Sequence, residues 1–165
     1  MDSAVIRRGR RADSKELIEL VVALARFEKL DPPSAAGRRR LLDDVFRKKR
    51  VHLFVASRGR MLVGYALYFY SYSSFLAKPT LYLEDLFVSA KHRGSGIGTA
   101  LLRRCAEEAL AKGCGRVEWA VLTWNEEALT FYESIGAERM TGWYLYRLDE
   151  ESIRGFARDS TSTSR

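Results

Sequence analysis

An α/β fold, a mostly antiparallel mixed sheet with helices on both faces, is predicted by three features of this 165-residue sequence. The runs "HLFVA" and "MLVGYALYFY" flank the Gly-containing turn "SRGR" and read as a hairpin. Two segments, ending at Phe27 and Lys112, repeat apolar residues at helical spacing. Strands and helices then alternate along the chain: strand, two helices, a three-strand meander, helix, strand, helix, strands. The length suits one domain, taken as residues 1–159, with a Ser/Thr-rich tail over 160–165 expected to fray.

Each element has a local reason. "VIRRGR" reads as a first strand. Asp13 followed by Glu16 reads as a capping box, and behind it Leu17, Leu20, Val21, Leu24 and Phe27 form a helical stripe. "DPPS" stops that helix. "AAGRRRLLDDVFRKKR" reads as a second helix whose basic run is a solvated face. After the hairpin, "SYSSFLAKPT" is a polar, aromatic-studded loop, and "LYLEDLFV" is the next strand. Ser95 to Lys112 is a helix with Ile97, Leu101, Leu102, Cys105, Ala106 and Ala109 as its buried stripe. "GRVEWAVL" is a strand. "NEEALTFYESIG" is a helix capped by Asn125, with glutamates at its positive end and Gly136 at its stop. "AERMTGWYLYRLD" reads as a last hairpin or strand pair.

Composition narrows the function classes. Apolar residues make up 47% of the chain and charged residues 30%, which fits a soluble globular protein, and the net charge of +7 favours an anionic partner. No RNP-type or helix-turn-helix pattern turns that charge into a nucleic-acid module. The two cysteines, Cys105 and Cys114, form no CxxC, and two histidines complete no metal set, so no metal is expected. The thiols suit a reduced, cytoplasmic compartment. The basic N-terminus has no apolar segment behind it, and the longest apolar run is too short to span a bilayer.

The stretch "YLEDLFVSAKHRGSGIGTALL" carries the chemistry. Gly94, Gly96 and Gly98 lie between a strand and a helix. Glycines let the backbone approach an anion, and the helix N-terminus adds free N–H groups and a positive dipole end. This suits a pyrophosphate, with charge from Arg93. A Rossmann GxGxxG would need glycine at Thr99, and a Walker A loop would need Gly-Lys-Ser/Thr.

The segment Arg93-Gly94-Ser95-Gly96-Ile97-Gly98 resembles the acetyl-CoA loop of the GNAT superfamily of N-acetyltransferases. The resemblance runs from about Val5 to about Arg154. In "LYLEDLFV", "ALARFEKL", "WNEEALTFYESIGA" and "GWYLYRLD" it is most similar to the spermidine/spermine (diamine) and thialysine acetyltransferases. It implies the GNAT fold, acetyl-CoA as co-substrate, direct transfer to a small primary amine in a ternary complex, and a homodimer. It implies that Arg93 to Thr99 and Asn125 contact CoA, that main chain at Leu86, Phe87 and Val88 pairs with the thioester, and that Tyr132 protonates the departing thiolate. It places Glu84 as the carboxylate that handles the amine's proton, with Phe27, Glu28, Asp85 and Trp119 lining the acceptor site.

The chemistry of those types is sound. An alkylamine with a pKa of about 10.4 arrives protonated, and a nearby carboxylate can hold the ammonium and take its proton. Neighbouring residues on a regular strand face opposite ways, so Glu84 and Asp85 share a site only if the strand is bulged. Asp85 is open between that site and a structural pairing, and Tyr132 has the alternative of a core aromatic. Two departures from the polyamine enzymes, "YSSF" at Ser73 to Phe75 and Lys29 beside Glu28, make a short diamine or a lysine-like amino acid as plausible an acceptor as spermidine. Two other readings stay open: a GNAT enzyme acting on a protein N-terminus or lysine, and a basic nucleic-acid-binding module.

Overall fold

A computed structural model describes residues 4–158; the tail expected to fray, 160–165, lies outside the described residues. The chain divides into two compact units, Met1–Leu122 and Thr123–Arg165.

The first unit is a five-stranded sheet in the order β1-β2-β3-β4-β5. Its strands are β1 (Val5–Arg8), β2 (His52–Arg58), β3 (Met61–Ser73), β4 (Lys78–Val88) and β5 (Arg116–Glu118). All pairs are antiparallel except β4 with β5. The helices are α1 (Ser14–Phe27), α2 (Ala35–Phe46) and α3 (Ile97–Ala111). On one face α1 and α2 close a core of Leu17, Leu20, Val45, Leu53, Val55, Leu62, Tyr65, Leu67 and Phe87. On the other, α3 buries Ile97, Leu101, Leu102, Cys105 and Ala109.

One irregularity governs β4. Leu67 pairs with Asp85 but Tyr68 pairs with Leu83, so Glu84 is an extra residue without a partner on β3. This is a β-bulge. Cross-strand partners share a face, so Leu81 and Leu83 go with Tyr70 and Tyr68 on the α3 side. Asp85 and Phe87 go with Leu67 and Tyr65 on the α1 side. Residues two apart would share a side on a regular strand; the bulge reverses them.

Several expectations are corrected. Asp13 and Glu16 form no capping box. Asp13 is taken by Arg7, whose Nη1 and Nη2 donate to it at 2.8 Å, and by the Arg10 amide. Glu16 instead accepts from the Leu62 amide at 2.5 Å. Long-range partners outcompete the local cap. On α3, Ala106 is exposed and Glu108 takes a buried place in the stripe, paired with Arg8. The strand read over "GRVEWAVL" reaches only from Arg116 to Glu118.

The second unit holds α4 (Glu126–Ser134) and α5 (Glu150–Arg158). The expected cap is present: Asn125 Oδ1 accepts from the Ala128 amide at 3.2 Å. The helix closes as predicted at Gly136, which has φ 84°, with the Ala137 amide donating back to the Tyr132 carbonyl. Residues 137–149 form no strand, against the expected final strand pair, and Trp143, Tyr144, Leu145 and Tyr146 are exposed. Alternation in "GWYLYRL" gives strand propensity, but a strand needs a ladder partner and none is present among the described residues. The α5 helix was not foreseen. Asp149 Oδ1 starts it by accepting from the Ser152 amide.

Candidate active site

The bulge gathers acids. Asp85 is half-buried on the α1 side of β4, and the buried Tyr65 of β3 donates its hydroxyl to Asp85 Oδ2 at 3.0 Å. Glu84 protrudes from the bulge, and Glu28 follows the last turn of α1. Burial pushes the Asp85 carboxyl up to about 6; the Tyr65 hydrogen bond offsets this in part, and the negative charges of Glu84 and Glu28 add to it. Glu28 is raised too, by burial first and by Glu84 second. No salt bridge among the described residues involves Glu28, Glu84 or Asp85. A chain of net charge +7 thus concentrates three uncompensated carboxyls at one point. A cation entering there would relieve them.

Beside these acids β4 offers free main chain. Its ladder with β5 covers only Thr80 to Tyr82. Leu86, Phe87 and Val88 pair with Ala66, Tyr65 and Gly64 on one side and have no ladder partner on the other among the described residues. Trp119 lies just past β5, half-buried.

The glycine turn follows β4 directly. Gly94 and Gly96 have φ 69° and 79°, left-handed values that an L side chain rarely adopts. A Cβ at either would meet nothing within 4 Å, so the loop surface is open. Gly96 is the N-cap of α3, and the first-turn amides of Ile97, Gly98 and Thr99 have no helical acceptor behind them. Ser95 Oγ donates to the His92 carbonyl at 2.6 Å, and Arg93 Nε donates to the Val88 carbonyl at 3.1 Å, which holds the turn against β4.

In the second unit, Tyr132 lies on α4 with its ring 5.1 Å from that of Phe131. Burial pushes its hydroxyl up to about 12. It therefore keeps its proton at neutral pH.

Residues 15–137 match the family model described as the Acetyltransferase (GNAT) family. The chain belongs to this family. It is an acetyl-transferring enzyme. The GNAT chain is 36% identical over 169 residues to the thialysine N-epsilon-acetyltransferase of Mus musculus, covering 95% of this chain and 99% of that one. It is 29% identical to the spermidine/spermine N(1)-acetyltransferase-like protein 1 of Homo sapiens, over 95% of this chain and 24% of that one. Among solved structures, an integron cassette protein from the mobile metagenome of V. cholerae superimposes with a TM-score of 0.79 at 26% identity, covering 94% and 98% of the two chains.

GNAT acetyltransferases use acetyl-CoA as co-substrate, and the open glycine turn with its helix amides fits a pyrophosphate. Among the described residues no group of three or more His, Cys, Asp or Glu gathers into a metal site. One residue of the acid cluster was missed in the sequence. Tyr65 reads there as one more apolar position of β3, and its role depends on a cross-strand register that periodicity does not carry. Only the neighbouring Tyr65–Phe87 pairing exposes it.

Proposed function

We propose that this GNAT enzyme acetylates a small primary amine, a diamine, polyamine or lysine-like amino acid. The observation that carries the reading is the acid cluster of Glu28, Glu84 and Asp85, which lacks an internal cation. The names of the mouse and human relatives support it. Bound acetyl-CoA supplies the activated acetyl group.

The chain's residues divide the remaining work. Glu84 holds the ammonium ion and accepts its proton, leaving a neutral nitrogen as nucleophile. Asp85 and Glu28 hold the cation's charge, and Phe27 and Trp119 give the aliphatic part an apolar wall. Main chain at Leu86 to Val88 orients the acyl group. Tyr132 Oη gives its proton to the departing thiolate, whose conjugate acid has a pKa of about 8.5. The amides of residues 94–99 hold the pyrophosphate, with Asn125 on the rest of the CoA arm. Direct transfer in a ternary complex follows from this division, because no cysteine or serine nucleophile is needed. A homodimer and a cytoplasmic location are proposed on the family resemblance alone, and light scattering reads the first.

The test is acetyl-CoA-dependent thiol release across diamines, polyamines, lysine analogues and peptides. Turnover with small amines and none with peptides is expected. Preference for a peptide N-terminus would move the substrate to a protein. Tyr132→Phe should lower turnover roughly 10²–10⁴-fold with CoA affinity retained.

A further inference from the structure

The Arg93 side chain is tied to both halves of the first unit's chemistry. Its Nε donates to the Val88 carbonyl at the end of β4. Its guanidinium carbon sits 4.6 Å from the centre of the Phe27 ring and 5.7 Å from that of Phe87. Both distances lie within cation–π range.

Each ring leads to an acid. Phe27 ends α1, and Glu28 follows it directly. That end is fixed: the Glu28, Lys29 and Leu30 amides donate back to Leu24, Arg26 and Ala25 carbonyls, and Lys29 adopts φ 59°. Phe87 is buried and its ring centre lies 6.3 Å from that of Tyr65, whose hydroxyl holds Asp85. On the other side, Arg93 is followed at once by Gly94 and Gly96. Any ordering of that turn by a bound pyrophosphate restrains the guanidinium. Any shift of the guanidinium reaches Phe27 and Phe87.

We propose that Arg93 is a positioning residue that couples the cofactor turn to the amine site. Occupancy of the turn fixes the stacked guanidinium, and the guanidinium fixes Phe27 and Phe87 and so the spacing of Glu28 and Asp85. The amine then meets a preorganised cluster. Linkage makes the effect reciprocal: the amine strengthens CoA binding by the same factor. Couplings of this kind span about 5- to 150-fold. The proposal rests on the acid cluster being the amine site.

The test is calorimetric titration of CoA, which cannot transfer an acetyl group, with and without saturating thialysine, and again with 1,4-diaminobutane. In the wild-type chain the CoA dissociation constant should fall at least about fivefold when amine is present. Arg93→Lys keeps the charge but loses the planar stack and the Nε bond. Phe27→Leu keeps apolar bulk but loses the ring. Both should bring the ratio close to one, whatever they do to either affinity alone. A residue that only contacted phosphate would weaken CoA equally in both titrations and leave the ratio intact. A residue that only stabilised the fold would lower the melting temperature and leave the ratio intact. Either result overturns the proposal, as does a wild-type ratio of one with both ligands bound. A wild-type chain that binds CoA but neither amine overturns the amine-site reading and this proposal with it.

Discussion

Glu108 and Asp85 are carboxyls on opposite faces of the same sheet, and their surroundings differ in kind. On the α3 side, Glu108 is 5% exposed and accepts from Arg8 Nη2 at 2.7 Å and from the Tyr70 hydroxyl at 3.2 Å. Burial alone would raise it, but those partners hold it below the usual carboxylate range. Arg8 also lies over Phe54, as does Arg104. On the α1 side, Asp85 has one neutral donor, Tyr65, and two negative neighbours. An acid with its cation built in serves the fold. A group of acids without one has an unfinished charge balance that a ligand completes. Five substitutions test this division.

The largest effect is expected at Glu84. Glu84→Gln should lower turnover roughly 10²–10⁴-fold with the melting temperature nearly unchanged. The loss should shrink at high pH, where the amine arrives neutral. Parallel pH–rate profiles for the variant and wild type would erase the contrast between the two faces.

On the other face the effect should be thermodynamic. Arg8→Met removes the cation from a buried carboxylate, and denaturant unfolding should show a loss of about 1–3 kcal/mol. Kinetic constants in the folded fraction should stay put. A change in amine KM would mean that both faces serve the reaction.

The two acids also predict opposite pH trends in stability. Asp85 titrates near 6 in the fold, above its unfolded value near 4. The fold therefore binds more protons, and this contribution, full below about pH 4, is lost as pH rises to about 6. Glu108 is lowered, so its contribution is present above the usual carboxylate pKa and lost as pH falls. Melting curves of Asp85→Asn should lack the first trend, and those of Glu108→Gln the second. Saturating amine should suppress the first trend only.

The smallest effect belongs to Tyr65→Phe, which leaves Asp85 without its hydrogen bond. A stability loss of about 1 kcal/mol is expected. The Asp85 pKa should rise further, moving the acid limb of kcat/KM upward in pH. An unmoved limb would make Tyr65 a core aromatic only.

Much of the first unit was legible because its signals are local. The β2–β3 hairpin follows from two apolar runs and a turn, and α3 from one stripe. The requirement for a bulge followed from two adjacent acids in one strand, although its register did not. What escaped depends on contacts distant in sequence. Asp13 lies near enough to Glu16 to suggest a cap, but Arg7 claims it. Glu108 breaks an apolar stripe in the sequence and becomes acceptable only through Arg8, 100 positions away. Residues 137–149 carry a strand-like alternation, yet alternation supplies no partner. The family was legible in the glycine turn and its flanking strand. The acceptor was not, because three acids specify a cation and not its length.

The extra residue in β4 also constrains how this chain can be recombined with its relatives. Upstream of Glu84, odd-numbered positions of β4 face α3; downstream, they face α1. Deleting Glu84 would close the bulge and leave Asp85 and Phe87 on the α1 side, because each would keep its partner on β3; what would be lost is the protruding position itself. A relative whose strand lacks the bulge must therefore be joined with its gap opposite Glu84, since a gap placed elsewhere in the strand would match inward residues of one chain to outward residues of the other.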